Sequence, residues 1–491
     1  MKMLSKASAH RLRQTAVAVV AALLMVPTVL AGSASAVEAV VSCGAVIREN
    51  TTLAADVGPC PGKGIRIDAD NITLNLNGHK VLGNPQVRVS PDKAGILLRN
   101  VNGVTVKNGI VEGFDAGVSI IGGSSNAVRQ VTAQNNVNYR LVTGRDASAE
   151  DFDPENGPFC TLGDGITMYN STKNVVRNNV VTGNGPYSGI SLVGRSTRNV
   201  VSNNEVLDND LVNQPPSGAG RTVCGGLVGE LGPLGRLVQD VGVRIEGPGA
   251  QHNVVADNQI RRSALAGVMV TAFRNEFPMA NNGFNQILNN SISQTGLRTQ
   301  QIQNFYDEYH SSGIFLHNAG TTAVSLSYGN TIAGNNSSNN FGGGIEVVGP
   351  FPGSGEVGVG GNTIVGNVAN NNVLDGIILA EGTIDTTVAG NKAHGNGLNK
   401  ALIAQLNAQD PYVVWTGADG ADLNAHCDDN HWFGNFFGTV NQSCVVIGGT
   451  GQVISPAAPV GGQVEAASSA RRPEGGGDRL FIRPRPDGSA Y

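Results

Sequence analysis

Arg244, Glu246, His317 and Glu346 sit in short segments built alike: a small or polar residue, Gly, an apolar residue, any residue, an apolar residue. Alternation in a strand puts each of them on the face opposite its apolar neighbours. Stacked segments lie roughly 4.8 Å apart, so Glu246, His317 and Glu346 are expected within roughly 8–14 Å along one surface. Two chemistries suit such a surface. Hydrolysis of a glycosidic bond needs two carboxyl groups roughly 5–9.5 Å apart, one as acid and one as base or nucleophile, and Glu246, Glu346, Asp307 and Glu308 supply candidates. Elimination at a uronate needs a base, here Arg244 or His317, and a cation to neutralise the sugar carboxylate. Glu246, Asp307 or Glu308 would hold that cation, with Ca²⁺ the natural choice. Tyr169, Phe315 and His310 complete the candidate binding surface. A solvated polar face without chemistry is the competing reading of the same residues.

The segments recur. Their glycines stand at 64, 95, 117, 165, 189, 242, 267, 313, 344 and 376, and the shortest spacings are 22, 24 and 25 residues. Each unit continues through a turn to Asn, two apolar-leaning residues and an Asn-rich corner, as in Asn174-Val175-Val176-Arg177-Asn178-Asn179. A period of this length with three short strands per unit is the signature of a β-solenoid. No strand buries a face alone, so the coils must stack. The second corner Asn recurs as Asn179, Asn204, Asn258, Asn290, Asn335, Asn367 and Asn391, which predicts an amide ladder with a structural role. The bias of parallel crossovers predicts right-handed winding.

Composition narrows the field. The chain has 491 residues with 67 Gly and 51 Asn, against 14% charged residues. So much Gly and Asn excludes a mainly helical protein, and 40% apolar residues exclude a disordered one. Lys2, Lys6, Arg11 and Arg13 precede an apolar run from Thr15 to Leu30 and small residues at Ala34-Ser35-Ala36, the pattern of a secretory signal peptide over 1–36. Without those four cations the charge is 29 − 38 = −9, which disfavours nucleic acid as a partner. No later run is apolar enough to span a membrane, and 455–491, rich in Pro, Gly and Arg, reads as a disordered tail. A secreted monomer is expected. Six cysteines in that compartment predict disulfides, and their positions suggest Cys43–Cys60, Cys160–Cys224 and Cys427–Cys444. His426, Asp428, Asp429 and His431 adjoin the last of these and are read as part of a cap rather than as metal ligands.

The stretch 43–447 resembles the right-handed parallel β-helix family with pectate-lyase-like folds, especially secreted bacterial proteins of parallel β-helix repeats. The opening through Asn71-Ile72-Thr73-Leu74-Asn75-Leu76-Asn77-Gly78-His79 and the closing Cys427-Asp428-Asp429-Asn430-His431-Trp432 carry that likeness. The resemblance implies an all-β right-handed parallel β-helix of about ten or more coils over 37–454, with disulfide-stapled ends. It also implies an extended polysaccharide as ligand or substrate. In the family's strand order, enlarged turns at 136–163, 210–241 and 296–312 lie before the first strand, and those at 271–284, 317–329 and 348–361 after it, so together they should wall a groove. Helical character at 399–409, with Trp432, Phe433, Phe436 and Phe437, is expected to close the C-terminal end. The Asn-Thr-Asp, Arg-Ile-Lys and Trp-x-Asp-His motifs of the pectin-degrading enzymes are absent. Phe152-Asp153-Pro154-Glu155 departs at its last residue from the Asp-Pro-His motif of alginate epimerases. The likeness to NosD-type copper proteins is one of fold only, since Met168, Met269 and Met279 are the only methionines beyond the signal segment.

Overall fold

The computed structural model describes residues 37–84, 94–137, 164–185, 187–209, 222–223, 226–227, 241–247, 249–273, 282–296, 312–319, 327–348, 360–409 and 414–454. Twelve first strands pair in parallel, from Val46–Ile47 at one end to Gly420–Asp422 at the other. Each coil then adds a second and a third strand, for example Val175–Arg177 and Val180–Thr182 after Asp164–Tyr169. The result is a right-handed parallel β-helix.

Its interior follows from the alternation. Ile96, Val118, Ile166, Ile190, Val243 and Val268 share one column and are fully buried, each worth about 1.5–3 kcal/mol of apolar transfer. The repeating Gly has a steric cause: a Cβ on Gly165 would lie 2.5 Å from Val181 Cγ1 and 2.7 Å from the Gly189 carbonyl oxygen. That glycine therefore faces the core, and the residue before it is left on the outer side of the sheet.

The predicted amide ladder is present and extends to Asn435. Each Asn Oδ1 accepts both the backbone N–H and the side-chain amide of the coil before it, as Asn258 does from Asn204 (both 2.9 Å). Its own amide reaches Asn290 Oδ1 (2.9 Å) and the Val201 carbonyl (3.0 Å). A second ladder runs from Asn126 through Asn174, Asn199, Asn253, Asn285 and Asn330 to Asn362. A third links Asn136, Asn184 and Asn209, and resumes as Asn340, Asn372 and Asn396. The residue before the predicted ladder takes a left-handed conformation, as Asn178, Asn203, Asp257 and Asn289 and later as Gly334, Gly366 and Gly390, the residue types that tolerate it. Asn258→Asp keeps the shape, removes the amide donors and buries a charge. It should cost about 2–4 kcal/mol, read as a lower urea midpoint at unchanged m; a shift below about 0.5 kcal/mol would mean that the ladder adds no net stability.

Disulfides Cys43–Cys60 and Cys427–Cys444 staple the two ends; Cys160 and Cys224 lie outside the described residues. The C-terminal closure departs from expectation in two ways. The helix, Lys400–Gln409, does not cap the end: Leu402, Ile403 and Leu406 pack with Leu374, Ile378, Trp415 and Ala421, so it lies against the outer side of the first sheet. Trp432 and Phe437 enter the core edge to face at 6.1 Å, whereas Phe433 and Phe436 are exposed. Alternation within the two short strands that carry them explains the split. Asp422 ties the closure together, accepting from Trp432 Nε1 (2.7 Å), Asn424 Nδ2 (2.8 Å) and Asn430 Nδ2 (3.2 Å).

Candidate functional site

Register fixes where the candidate side chains stand. Arg244 aligns with Met269, Phe315 and Glu346 on successive strands, and Glu246 aligns with Thr271, His317 and Val348. Arg244 and Glu346 are thus three strands apart, roughly 14 Å, and Glu246 and His317 two apart, roughly 10 Å. Glu346 instead accepts from Ser312 Oγ at 2.7 Å.

These positions face away from the interior, yet they are not the solvated groove walls that alternation suggested. Arg244 is 0%, Phe315 1%, Glu346 2% and Glu246 3% exposed; Tyr169 is half-buried. The cause is a second apolar layer on the outer face, where Val241, Leu265, Ala266, Met269, Phe315 and Val348 form their own cluster. That layer separates the Arg244 neighbourhood from Glu346. The side chain of His317, the segments holding Asp307, Glu308 and His310, the motif at 152–155 and most of the enlarged turns lie outside the described residues.

Around Arg244 the structure assembles a polar nest. Its Nη1 donates to Glu246 Oε2 at 2.7 Å, its Nε donates to Ser188 Oγ at 3.1 Å, and its guanidinium lies 4.1 Å above the Tyr187 ring. Ser191 Oγ donates to Thr167 Oγ1 at 2.8 Å. Asp164, on the outer side one residue before its Gly, is buried, and its Oδ1 has no hydrogen-bond partner. The Tyr187 hydroxyl faces the Glu246 carboxylate without reaching hydrogen-bond geometry.

The electrostatics follow from burial. Loss of water pushes the Asp164 carboxyl up to about 8, with Glu246 adding to the rise and Ser191 and Arg244 offsetting part of it. Asp164 therefore keeps its proton at neutral pH. Burial, then the Glu246 charge, raises the Tyr187 phenol well above its ordinary value. Burial alone would lower Arg244, but Tyr187 and Glu246 reverse that and hold the guanidinium protonated. Sequence reading missed Asp164, Tyr187 and Ser188. The signal for Asp164 and Ser188 was a polar residue before the repeating Gly where neighbouring coils carry Val241 and Ala266, whereas Tyr187 had none.

The fold, the ladders and the stapled ends define the chain as a right-handed parallel β-helix of stacked repeats. A family model described as periplasmic copper-binding protein (NosD) matches residues 38–215. No curated protein matches the chain. Among solved structures it is similar to the Dettilon tailspike protein (15% identity, TM-score 0.48), spanning 83% of this chain and 60% of the tailspike. It is also similar to the catalytic domain of a GH87 α-1,3-glucanase (16%, 0.43; 80% and 64%) and to the A-module of the Azotobacter vinelandii mannuronan C-5 epimerase AlgE4 (10%, 0.40; 84% and 88%). At these identities the likeness is one of fold.

The described residues do not fit copper. Among the described residues no three His, Cys, Asp or Glu side chains converge on a metal-sized site. The described cysteines are in disulfides, and Met168 and Met269 are fully buried.

Proposed function

We propose that this protein is exported, binds an extended polysaccharide along the outer side of its first sheet, and cleaves it at the Asp164–Tyr187–Arg244–Glu246 nest. The observation that carries this reading is the orphaned Asp164 oxygen beside a buried ion pair. An unpaired buried polar atom costs about 1–3 kcal/mol, and a buried ion pair is seldom kept for stability alone. A carboxyl that burial keeps protonated, beside a second carboxyl on the same face, supplies an acid–base pair. Asp164, protonated, donates to the leaving oxygen; Glu246, bound to Arg244, acts as base or nucleophile. The buried nest supplies a low dielectric in which both act strongly. A guanidinium held in its charged form is a poor base, which favours hydrolysis over elimination.

The test is a panel of acidic and neutral polysaccharides with the 37–491 chain, with and without Ca²⁺. Reducing ends should appear without the absorbance of unsaturated uronates. Asp164→Asn and Glu246→Gln should each lower the rate at least 100-fold and leave binding intact. Absorbance that needs Ca²⁺ would replace this reading with a lyase. Binding without either signal would favour the second reading, a non-catalytic glycan-binding protein, to which the closed state of the nest already lends support.

A further inference from the structure

The second face of the helix, formed by the second strands and the corner before them, is independent of the nest. Lys107, Arg129 and Arg177 stand directly opposite one another on three successive strands of this face. Like charges in that arrangement repel, yet none of the three makes an ion pair among the described residues. Four positions earlier, at the corner, Lys173, Arg198, His252 and Phe284 follow one another on successive coils, all exposed and all left-handed (φ 56–57°). Other coils place Gly103, Gly329 or Gly361 at this corner, as sterics favour. Four consecutive large side chains accept a strained backbone to reach solvent, and such strain gathers at binding sites. The two cationic runs are staggered along the axis and share one coil, where Val175 lies between Lys173 and Arg177, with Ala127 and Val200 in register on either side.

Aromatic rings continue the strip. His252 stacks on Phe284 (centroids 5.3 Å, planes 10° apart), and Phe284 meets Tyr328 edge to face at 6.2 Å. Phe284 leans over Gly329 and Tyr328 over Gly361, where an added Cβ would lie 2.8 and 2.4 Å from the rings. The glycines thus make room for an exposed aromatic run.

We propose that this strip docks an acidic polysaccharide lying along the helix axis, its carboxylates on the two staggered cationic runs and its sugars packed against the edges of the aromatic run. The net negative charge of the chain does not oppose this, because a local cationic strip sets the potential that a polyanion meets. A single-stranded nucleic acid fits less well: bases need open ring faces to stack on, and His252 and Phe284 turn a face to each other.

The experiment measures retention of the 37–491 chain on immobilised polygalacturonate, on an uncharged β-glucan and on single-stranded DNA, over a range of salt. Polygalacturonate should bind most tightly, and its affinity should fall with salt. Arg129→Glu/Arg177→Glu should weaken it at least tenfold and flatten the salt dependence, and Arg129→Gln/Arg177→Gln should do so to a smaller degree. Phe284→Ala/Tyr328→Ala should weaken binding with little change in salt dependence. Asp164→Asn should leave this binding unchanged, which separates the strip from the nest. Equal retention on the glucan, tighter retention on DNA, or no effect of the charge changes in folded variants would overturn the proposal.

Discussion

Glu246→Gln should lower the unfolding free energy by about 3–5 kcal/mol, more than Arg244→Met/Glu246→Leu lowers it. The inversion follows from where the pair sits. Arg244 is fully buried and Glu246 nearly so, with 2.7 Å between Nη1 and Oε2. Neutralising Glu246 takes from a buried guanidinium the carboxylate that it donates to at 2.7 Å, and its contact with the Tyr187 ring, worth about 2 kcal/mol when desolvated, does not replace that charge. Removing both charges abolishes the desolvation penalty and lets Met and Leu join the neighbouring Val241–Met269–Phe315 layer. Urea unfolding at pH 7 reads both variants. A single variant as stable as the parent would show that water reaches the pair. A stable but inactive double variant would assign the pair to chemistry rather than to the fold.

Much of the fold was legible because the solenoid repeats its physics every coil. The interior columns, the Asn179–Asn391 ladder and both end disulfides each follow from a residue type recurring at one place. The candidate site was legible only in part. Alternation tells which side of a strand Arg244, Phe315 and Glu346 occupy, but not what lies on that side. Here an outer apolar layer and, further along, the helix Lys400–Gln409 cover a surface that the sequence alone presents as bare. Asp164 escaped notice because the period was read from the Gly after it, and the inward turn of that Gly is a tertiary fact. Tyr187 belongs to no repeat column and enters the site only through Arg244. Net charge is silent in the same way: it does not tell that Lys107, Arg129 and Arg177 share one column.

Stability should fall as pH rises from about 4 to about 8, and Asp164→Asn should remove most of that fall. The folded carboxyl titrates near 8 and an unfolded one near 3.8, so the native state binds the extra proton. A raised folded value contributes stability that is complete below the unfolded value and is lost as pH climbs through the folded one. At 1.36 kcal/mol per unit, a separation of about four units amounts to roughly 5–6 kcal/mol. Asp375, pushed up to about 6 by burial, which the hydrogen bonds it accepts from the 416–418 backbone amides and the Thr416 hydroxyl only partly offset, adds a smaller decline with the same sign, complete by about pH 6. Asp56, Asp68 and Asp208, lowered by hydrogen bonds and neighbouring cations at the surface, act in the opposite sense only near and below pH 4. Parent and Asp164→Asn should therefore unfold at similar urea concentrations at pH 4, with the variant the more stable by several kcal/mol at pH 8.5. The remaining slope above pH 4 should shrink in Asp164→Asn/Asp375→Asn, with Asp422, also raised by burial, keeping a part of it. Parallel curves for parent and Asp164→Asn across the whole range would place the carboxyl in water and remove the proton donor on which the hydrolytic reading depends.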